Sequence, residues 1–432
     1  MKYATRLSLA AVLAAACAVP AARGAGFALY EGSARGNVTP AAITARGEEP
    51  ASLYYNPAAI ADIPGSRVQA GLTLIAPTAD VRTRSPYTGE ARRSHGHGKV
   101  WPIPHAYLTH QFAEDWWFGF GVGTRYGLGA NFDQSWPGRY GNYKAEILSF
   151  DMMPALVWRA TDRLSLALGL SVRYFDIELA QKIDAAGLAG LRPYNDPAYS
   201  PYDVDQNLHG DDVKPAVDLG LRYRLTDTLS FGAAYHSRVH FKVEGDAKWV
   251  KPPAVQALAP AAWRNTDFHA RNYNPDEILL ALVWDATDRL ALSAGATYTT
   301  WHLYDDLEID LHSPMLPGVS RLESRKAWND TWRLAAGADY RLSDAWTLRA
   351  GYVWDQSPIH TAHVDYLVPG DDRHILAIGA GWKRGAWSLE GSYFYEIVED
   401  FDVRGRPAQG VYDGEFCGAH GHAVAFSATY SF

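Results

Sequence analysis

Few residues of this 432-residue chain have types and spacings suited to covalent or metal chemistry. Cys417-Gly418-Ala419-His420-Gly421-His422 and His95-Gly96-His97 bring potential ligands close together. Neither spacing matches a standard metal site, so both read as polar residues in or beside loops, and no metal or other cofactor is expected. Tyr235-His236-Ser237 is the nearest approach to a nucleophile with a base. Neighbouring residues on a strand face opposite sides, and geometry rather than presence defines a catalytic site, so no catalytic residues are expected. The better candidates are for binding. Arg173, Arg222, Arg333 and Arg349 carry planar forks suited to anions, and their use depends on which way the backbone turns them.

The elements that turn them are strands. Leu164, Leu166, Leu168, Leu170, Val172 and Tyr174 alternate with Ser165, Ala167, Gly169, Ser171 and Arg173. Trp332, Leu334, Ala336, Ala338 and Tyr340 alternate with Arg333, Ala335, Gly337, Asp339 and Arg341, and Trp346 to Tyr352 repeats the pattern. A period of two gives each strand an apolar and a polar face. A soluble sandwich would crowd bulky groups on its inner face, whereas here the polar face carries small residues and Arg. Trp and Tyr sit near the ends of the apolar face. That is the arrangement of lipid outside, lumen inside and aromatic girdles at both interfaces. No run of about 18 apolar residues predicts a transmembrane helix.

Residues 1–24 read as a signal peptide. Lys2 and Arg6 form a positive start, Leu7 to Val19 an apolar run, and Ala22-Arg23-Gly24 a cleavage site. The run is too short to span a bilayer; lipidation at Cys17 is the alternative, although Ala14-Ala15-Ala16 lacks the usual Leu. Cleavage removes Lys2, Arg6 and Arg23 and moves the formal charge from −8 to −11, which argues against a nucleic-acid partner. It also leaves Cys417 as the single cysteine, so stability must come from elsewhere, and a closed barrel supplies it.

Turn signals recur between the alternating runs at Glu114-Asp115-Trp116, Thr161-Asp162-Arg163, Thr226-Asp227-Thr228, Thr287-Asp288-Arg289, Ser343-Asp344-Ala345 and Lys383-Arg384-Gly385. With these fixed, the sequence predicts fourteen strands: 68–84, 99–112, 115–128, 144–160, 163–181, 211–225, 228–244, 268–285, 289–309, 326–341, 345–356, 372–384, 387–402 and 418–432. Short turns follow the even strands and long connections the odd ones, the longest near 182–210, which is the topology of a bacterial barrel with both termini periplasmic. The expected fold is all-β: a transmembrane barrel over 68–432, preceded by 25–67, which fits no strand. Fourteen strands enclose more space than side chains fill, so 25–67 is expected to plug the lumen.

Several segments, in order along the chain, resemble the FadL family of outer-membrane transporters of long-chain fatty acids and other hydrophobic compounds. They are Ala25-Gly26-Phe27-Ala28-Leu29, Tyr54-Tyr55-Asn56-Pro57-Ala58, Tyr126-Gly127-Leu128-Gly129-Ala130-Asn131-Phe132, Trp328-Asn329-Asp330-Thr331-Trp332, Arg349 to Pro358, and Pro369-Gly370-Asp371-Asp372-Arg373. The resemblance implies a hatch carrying the motif Asn56, Pro57 and Ala58. It implies capture at an extracellular groove, rearrangement of the hatch and lateral release through a kink in strand 3 at Gly127 and Gly129. Physically, two glycines weaken pairing and permit a bulge, though they also simply make room for a hatch. Pro57 fixes φ and lacks an N–H, which suits a stiff turn. A fatty acid would need an apolar sleeve and one cation. Leu53, Tyr54, Ile60 and Ile63 could line the sleeve or pack the hatch; Arg333 and Arg349, like Arg173 and Arg222, could meet substrate or pair with acids such as Asp218 and Asp339.

Two rivals remain on the sequence, a general diffusion porin and an outer-membrane lipid-modifying enzyme. The first needs an open lumen and the second a Ser–His or Asp–His pair near the outer rim. The expected partners are a hydrophobic small molecule, outer-membrane lipid and lipopolysaccharide, and the barrel-assembly machinery, with the chain a monomer. In the last strand Val424, Phe426, Ala428, Tyr430 and Phe432 are expected to face lipid, and that strand must pair with the first to remove both edges.

Overall fold

The computed structural model describes residues 26–432, apart from positions 97, 361, 367 and 369; the expected signal peptide and His97 lie outside the described residues. Fourteen antiparallel strands close into one barrel. We number them β1 (Ser66–Arg84), β2 (Trp101–Ala113), β3 (Trp116–Gly123, resuming at Gly127–Asn131), β4 (Lys144–Arg159), β5 (Leu164–Asp184) and β6 (Asp203–Arg224). Next come β7 (Leu229–His236 and Val239–Val250), β8 (Thr266–Asn274 and Glu277–Asp285), β9 (Leu290–Thr299 and Asp306–Leu311) and β10 (Arg321–Arg325 and Thr331–Arg341). The last four are β11 (Trp346–Asp355), β12 (Arg373–Arg384), β13 (Trp387–Val398) and β14 (Asp413–Ser431). β14 pairs with β1 from Ser431 opposite Arg67 to Asp413 opposite Arg84, so the wall has no free edge at its seam.

The short turns form by one local mechanism. Thr161, Thr287 and Ser343 each accept, on the side-chain oxygen, the amide three residues on, at 3.0–3.1 Å, which closes the reversal without help from elsewhere. Gly385 makes its turn with φ of 59°.

Burial is inverted relative to a soluble protein. Leu168, Leu170, Ile378 and Phe426 are exposed on the outer face, while Asp151, Arg173, Asp218 and Arg349 are buried on the inner one. Trp116 stacks on Trp158, and Trp387 meets Tyr430 edge-on, at the periplasmic end where an amphipathic ring belongs. Among the described residues no helix is long and apolar enough to cross a membrane.

The structure corrects several boundaries, mostly on the extracellular side. β6 starts at Asp203 rather than 211, β7 runs to Val250, β10 starts at Arg321, and β14 starts at Asp413. Above the lipid both faces meet polar surroundings, so alternation fades while the ladder continues. The Cys417–His422 run accordingly lies in β14 and not in a loop, and His95 ends a short strand, Ala91–His95, that adds to β1. Among the described residues no three His, Cys, Asp or Glu side chains group as a metal site.

Candidate functional site

The N-terminal segment lies within the barrel. It carries α1 (Pro40–Ala45), α2 (Ser52–Tyr55) and a 3-10 turn at Pro57–Asp62, each short, with proline in the first turn of α1 and of the 3-10 turn, where a missing N–H costs nothing. Nearly every side chain from Phe27 to Ile63 is buried. Asn56 is wholly buried and joins three pieces. Its Nδ2 donates to the Thr44 carbonyl at the end of α1 (2.8 Å) and to the Leu221 carbonyl of β6 (3.0 Å), while its Oδ1 accepts from the Ala58 amide (3.1 Å). Pro57 starts the turn and Ala58 packs against the wall at Gly220. Asn56, Pro57 and Ala58 thus tie the segment to itself and to the wall.

The third strand is broken at Thr124, Arg125 and Tyr126. Below the break β3 pairs with β2, ending with Ala106 opposite Val122; above it Gly127–Asn131 pairs with β4 alone among the described residues. Residues 27–29 fill part of the vacancy. The Leu29 amide donates to the Arg125 carbonyl (2.7 Å), the Gly127 amide donates to the Phe27 carbonyl (2.9 Å), and Ala28 bridges to Tyr126. A buried carbonyl or amide left unpaired costs about 1–3 kcal/mol, so this pairing keeps the break closed on the inside. The Tyr54 hydroxyl lies 2.8 and 3.0 Å from the carbonyls of Leu29 and Thr124, with one proton to share between them.

Phe27 itself sits in an aromatic cage. Its ring centroid is 4.8 Å from Trp301, 5.6 Å from Tyr304, 5.8 Å from Trp328 and 6.0 Å from Tyr126. Three of these contacts are edge-on, the arrangement the aromatic quadrupole favours. Phe175 and Phe241 stack nearby in the same apolar cluster.

Of the binding residues read from the sequence, Leu53, Tyr54, Ile60 and Ile63 pack the segment onto the wall: Leu53 and Ile60 abut Gly119, and the Trp117 indole donates to the Ile63 carbonyl. Each inward arginine has an acid. Arg173 pairs with Asp151 (2.6 Å), Arg222 with Asp62 (3.1 Å), Arg333 with Asp355, and Arg349 with Asp339 (2.6 Å) and Glu390. Arg333 also lies over the Tyr30 ring (4.2 Å), beside Glu31, whose carboxyl burial pushes above its ordinary range against the pull of Arg333. Asp218 pairs with His236 instead (2.6 Å). Tyr235 faces the other way, toward Asp276, and the Ser237 hydroxyl accepts the Val217 amide, so His236 and Ser237 do not pair. Sequence reasoning missed the cage of Trp301, Tyr304 and Trp328, although Trp328 falls in a segment it singled out. It also missed Arg125, whose guanidinium donates to the Tyr54 carbonyl (2.8 Å).

A family model described as "Outer membrane protein transport protein (OMPP1/FadL/TodX)" matches residues 14–432. The chain is 26% identical over 390 residues to the 47 kDa outer membrane protein of Pasteurella multocida, covering 86% of this chain and 87% of that one. It is 22% identical over 351 residues to the long-chain fatty acid transport protein of Escherichia coli, covering 77% of each. Among solved structures, a Pseudomonas aeruginosa FadL homologue superposes with a TM-score of 0.84 at 23% identity, over 94% of this chain and all of that one. The Pseudomonas putida toluene transporter TodX superposes at 0.69 and 17% identity, over 95% of this chain and 99% of that one.

Proposed function

We propose a transport path for this chain, which belongs to the OMPP1/FadL/TodX family of outer membrane transport proteins and is, like that family, a bacterial outer-membrane transporter of hydrophobic compounds and not an enzyme. The cargo is a long-chain fatty acid or a related hydrocarbon. It is captured among the aromatic residues of the extracellular loops, where Trp136 stacks on Phe132 (4.2 Å) and meets Tyr366 edge-on (5.0 Å). It then takes the place of Phe27 in the cage of Trp301, Tyr304 and Trp328. Residues 27–29 leave the break in β3, and the cargo passes sideways at Gly127 and Gly129 into the bilayer. The protein acts as a monomer set in outer-membrane lipid and lipopolysaccharide.

One observation carries this reading: the strand that covers the break in the wall is the same stretch that occupies the aromatic cage. Anything apolar that wins the cage therefore uncovers the break. Asn56 holds the rest of the segment in place while its start moves. A diffusion porin is disfavoured because the buried N-terminal segment is hydrogen-bonded to the wall at Leu221 and Tyr107.

Uptake of a radiolabelled fatty acid or aromatic hydrocarbon by cells tests the path. Asn56→Ala and Gly127→Val should each slow uptake while the barrel keeps its heat-modifiable mobility on a gel. Unchanged uptake in both variants would falsify the path.

A further inference from the structure

The side of β2 that faces the break is built to stay unpaired. The Gln111 amide donates to the Gly65 carbonyl ahead of β1 (2.9 Å), which fixes the phase of the strand. With an unbroken register from His110 to Trp101, Thr109, Tyr107, His105 and Ile103 turn their backbone groups to β1. The residues between them turn theirs to β3. Ala106 finds Val122 there. Beyond it the two positions that would offer amides to the upper half of β3 are Pro104 and Pro102, which have none. Proline is a known way to blunt a strand edge, and here it removes the donors that would be orphaned in lipid. The gap faces the apolar belt: Leu72, Leu74 and Val424 are exposed on one side of it and Leu148 and Phe150 on the other.

One side chain spans the gap. Trp101 lies so close over Gly129 that a Cβ at that glycine would overlap the indole. Lys99 holds the ring from above, its Nζ 4.1 Å from the ring centroid and 3.6 Å from the Glu146 carboxylate. Glu146 sits opposite Gly129 in the β3–β4 ladder and also accepts from Asn131 (3.0 Å). The indole is thus fixed to both banks of the gap, by its own backbone on β2 and through Lys99 to β4.

We propose that Trp101 is the shutter of a permanently unzipped window between β2 and β3, and that its swing sets the girth of the hydrophobic cargo that leaves. The inference rests on the lateral path proposed above and deepens it. Pro102 and Pro104 keep the window from zipping, Gly129 gives the indole its seat, and the Lys99–Glu146 contact latches it. No pairing between β2 and β3 has to break for release: once residues 27–29 have left the break, only an indole moves.

Uptake of two labelled hydrocarbons, one slender and one bulky, separates the possibilities. Trp101→Ala should raise uptake of the bulky compound severalfold and leave the slender one nearly unchanged, and Lys99→Met should do the same more weakly. Pro102→Val with Pro104→Val restores two amides, lets β2 zip to the upper half of β3, and should reduce uptake of both compounds to the level of cells lacking the protein. Heat-modifiable mobility verifies that each variant is folded. Folded variants with the wild-type rate and size preference would overturn the shutter while leaving the lateral path standing. Wild-type uptake no greater than that of cells without the protein would overturn the path and the shutter together.

Discussion

The wall meets the N-terminal segment in two ways. On β6 and β11 it meets backbone: a Cβ at Gly351 would overlap the Val38 carbonyl oxygen, and one at Gly220 would lie 2.6 Å from the Ala58 nitrogen. On β3, apart from the backbone pairing of residues 27–29 at the break, it meets the ends of side chains: a Cβ at Gly119 would lie 2.8 Å from Leu53 Cδ1 and 2.9 Å from Ile60 Cδ1, and one at Gly127 would lie 2.8 Å from Leu29 Cδ1. A side-chain end rotates away from a neighbour, whereas a backbone carbonyl moves only if its whole segment moves. The segment therefore has a fixed flank and a yielding flank, and the yielding flank borders the break in β3. On the proposed path, the packing of its two sides would direct motion of the segment toward the window.

The strongest way to break this comparison is to crowd the fixed flank. Gly351→Val places a branched side chain where Val38 carries its carbonyl, and overpacking of this kind costs about 3 kcal/mol. Because the Val38 carbonyl moves only with its segment, the segment should be pushed off β11 while the barrel ladder holds. Planar-bilayer recording should then show porin-like conductance in the variant and little in the parent. A variant that stays closed would show that the flank is not fixed. Asn56→Ala should have the next largest effect. It removes the acceptor for the Ala58 amide and the donor to the Thr44 and Leu221 carbonyls, a loss of about 2 kcal/mol. Hydrogen exchange of the amides in 40–62 should quicken by one to two orders of magnitude, roughly as that energy dictates, with the strand amides unaffected.

The parts of this molecule that were legible in the sequence are those with local causes. Period-two alternation inside the lipid belt and a Thr or Ser oxygen that closes its own turn both read from neighbouring residues, and together they set the fourteen strands. Asn56-Pro57-Ala58 was legible as a stiff turn for the same reason. Partners set by register were not legible. Asp151 rather than Asp218 neutralises Arg173 because β4 and β5 align them as direct opposites, and nothing near Arg173 in the chain says so. The sequence put the kink at Gly127 and Gly129, whereas the break lies just before them at Thr124 to Tyr126, and the other bank of the gap is Pro102 and Pro104, some twenty-five residues earlier. Their meaning appears only when the amide phase of β2 is known. The aromatic cage gathers Phe27, Trp301 and Trp328 from opposite ends of the chain, a contact that no periodicity announces.

The smallest expected effect sharpens the comparison most. Gly119→Ala adds one methyl group against the tips of Leu53 and Ile60, apolar side-chain ends that carry no hydrogen bond of their own. If the flank yields, the cost should fall to the low end of overpacking, about 1 kcal/mol. Hydrogen exchange at 52–63 should then be nearly that of the parent. The same methyl at Gly220 on β6 would press on the Ala58 amide and the Asn56 oxygen, which cannot turn aside without giving up their hydrogen bond. A ratio of exchange rates well above one between Gly220→Ala and Gly119→Ala, with the barrel intact in both, is the signature of one fixed and one yielding side. Equal rates would mean that the segment is held uniformly, and its motion would then need a cause other than the packing of the wall.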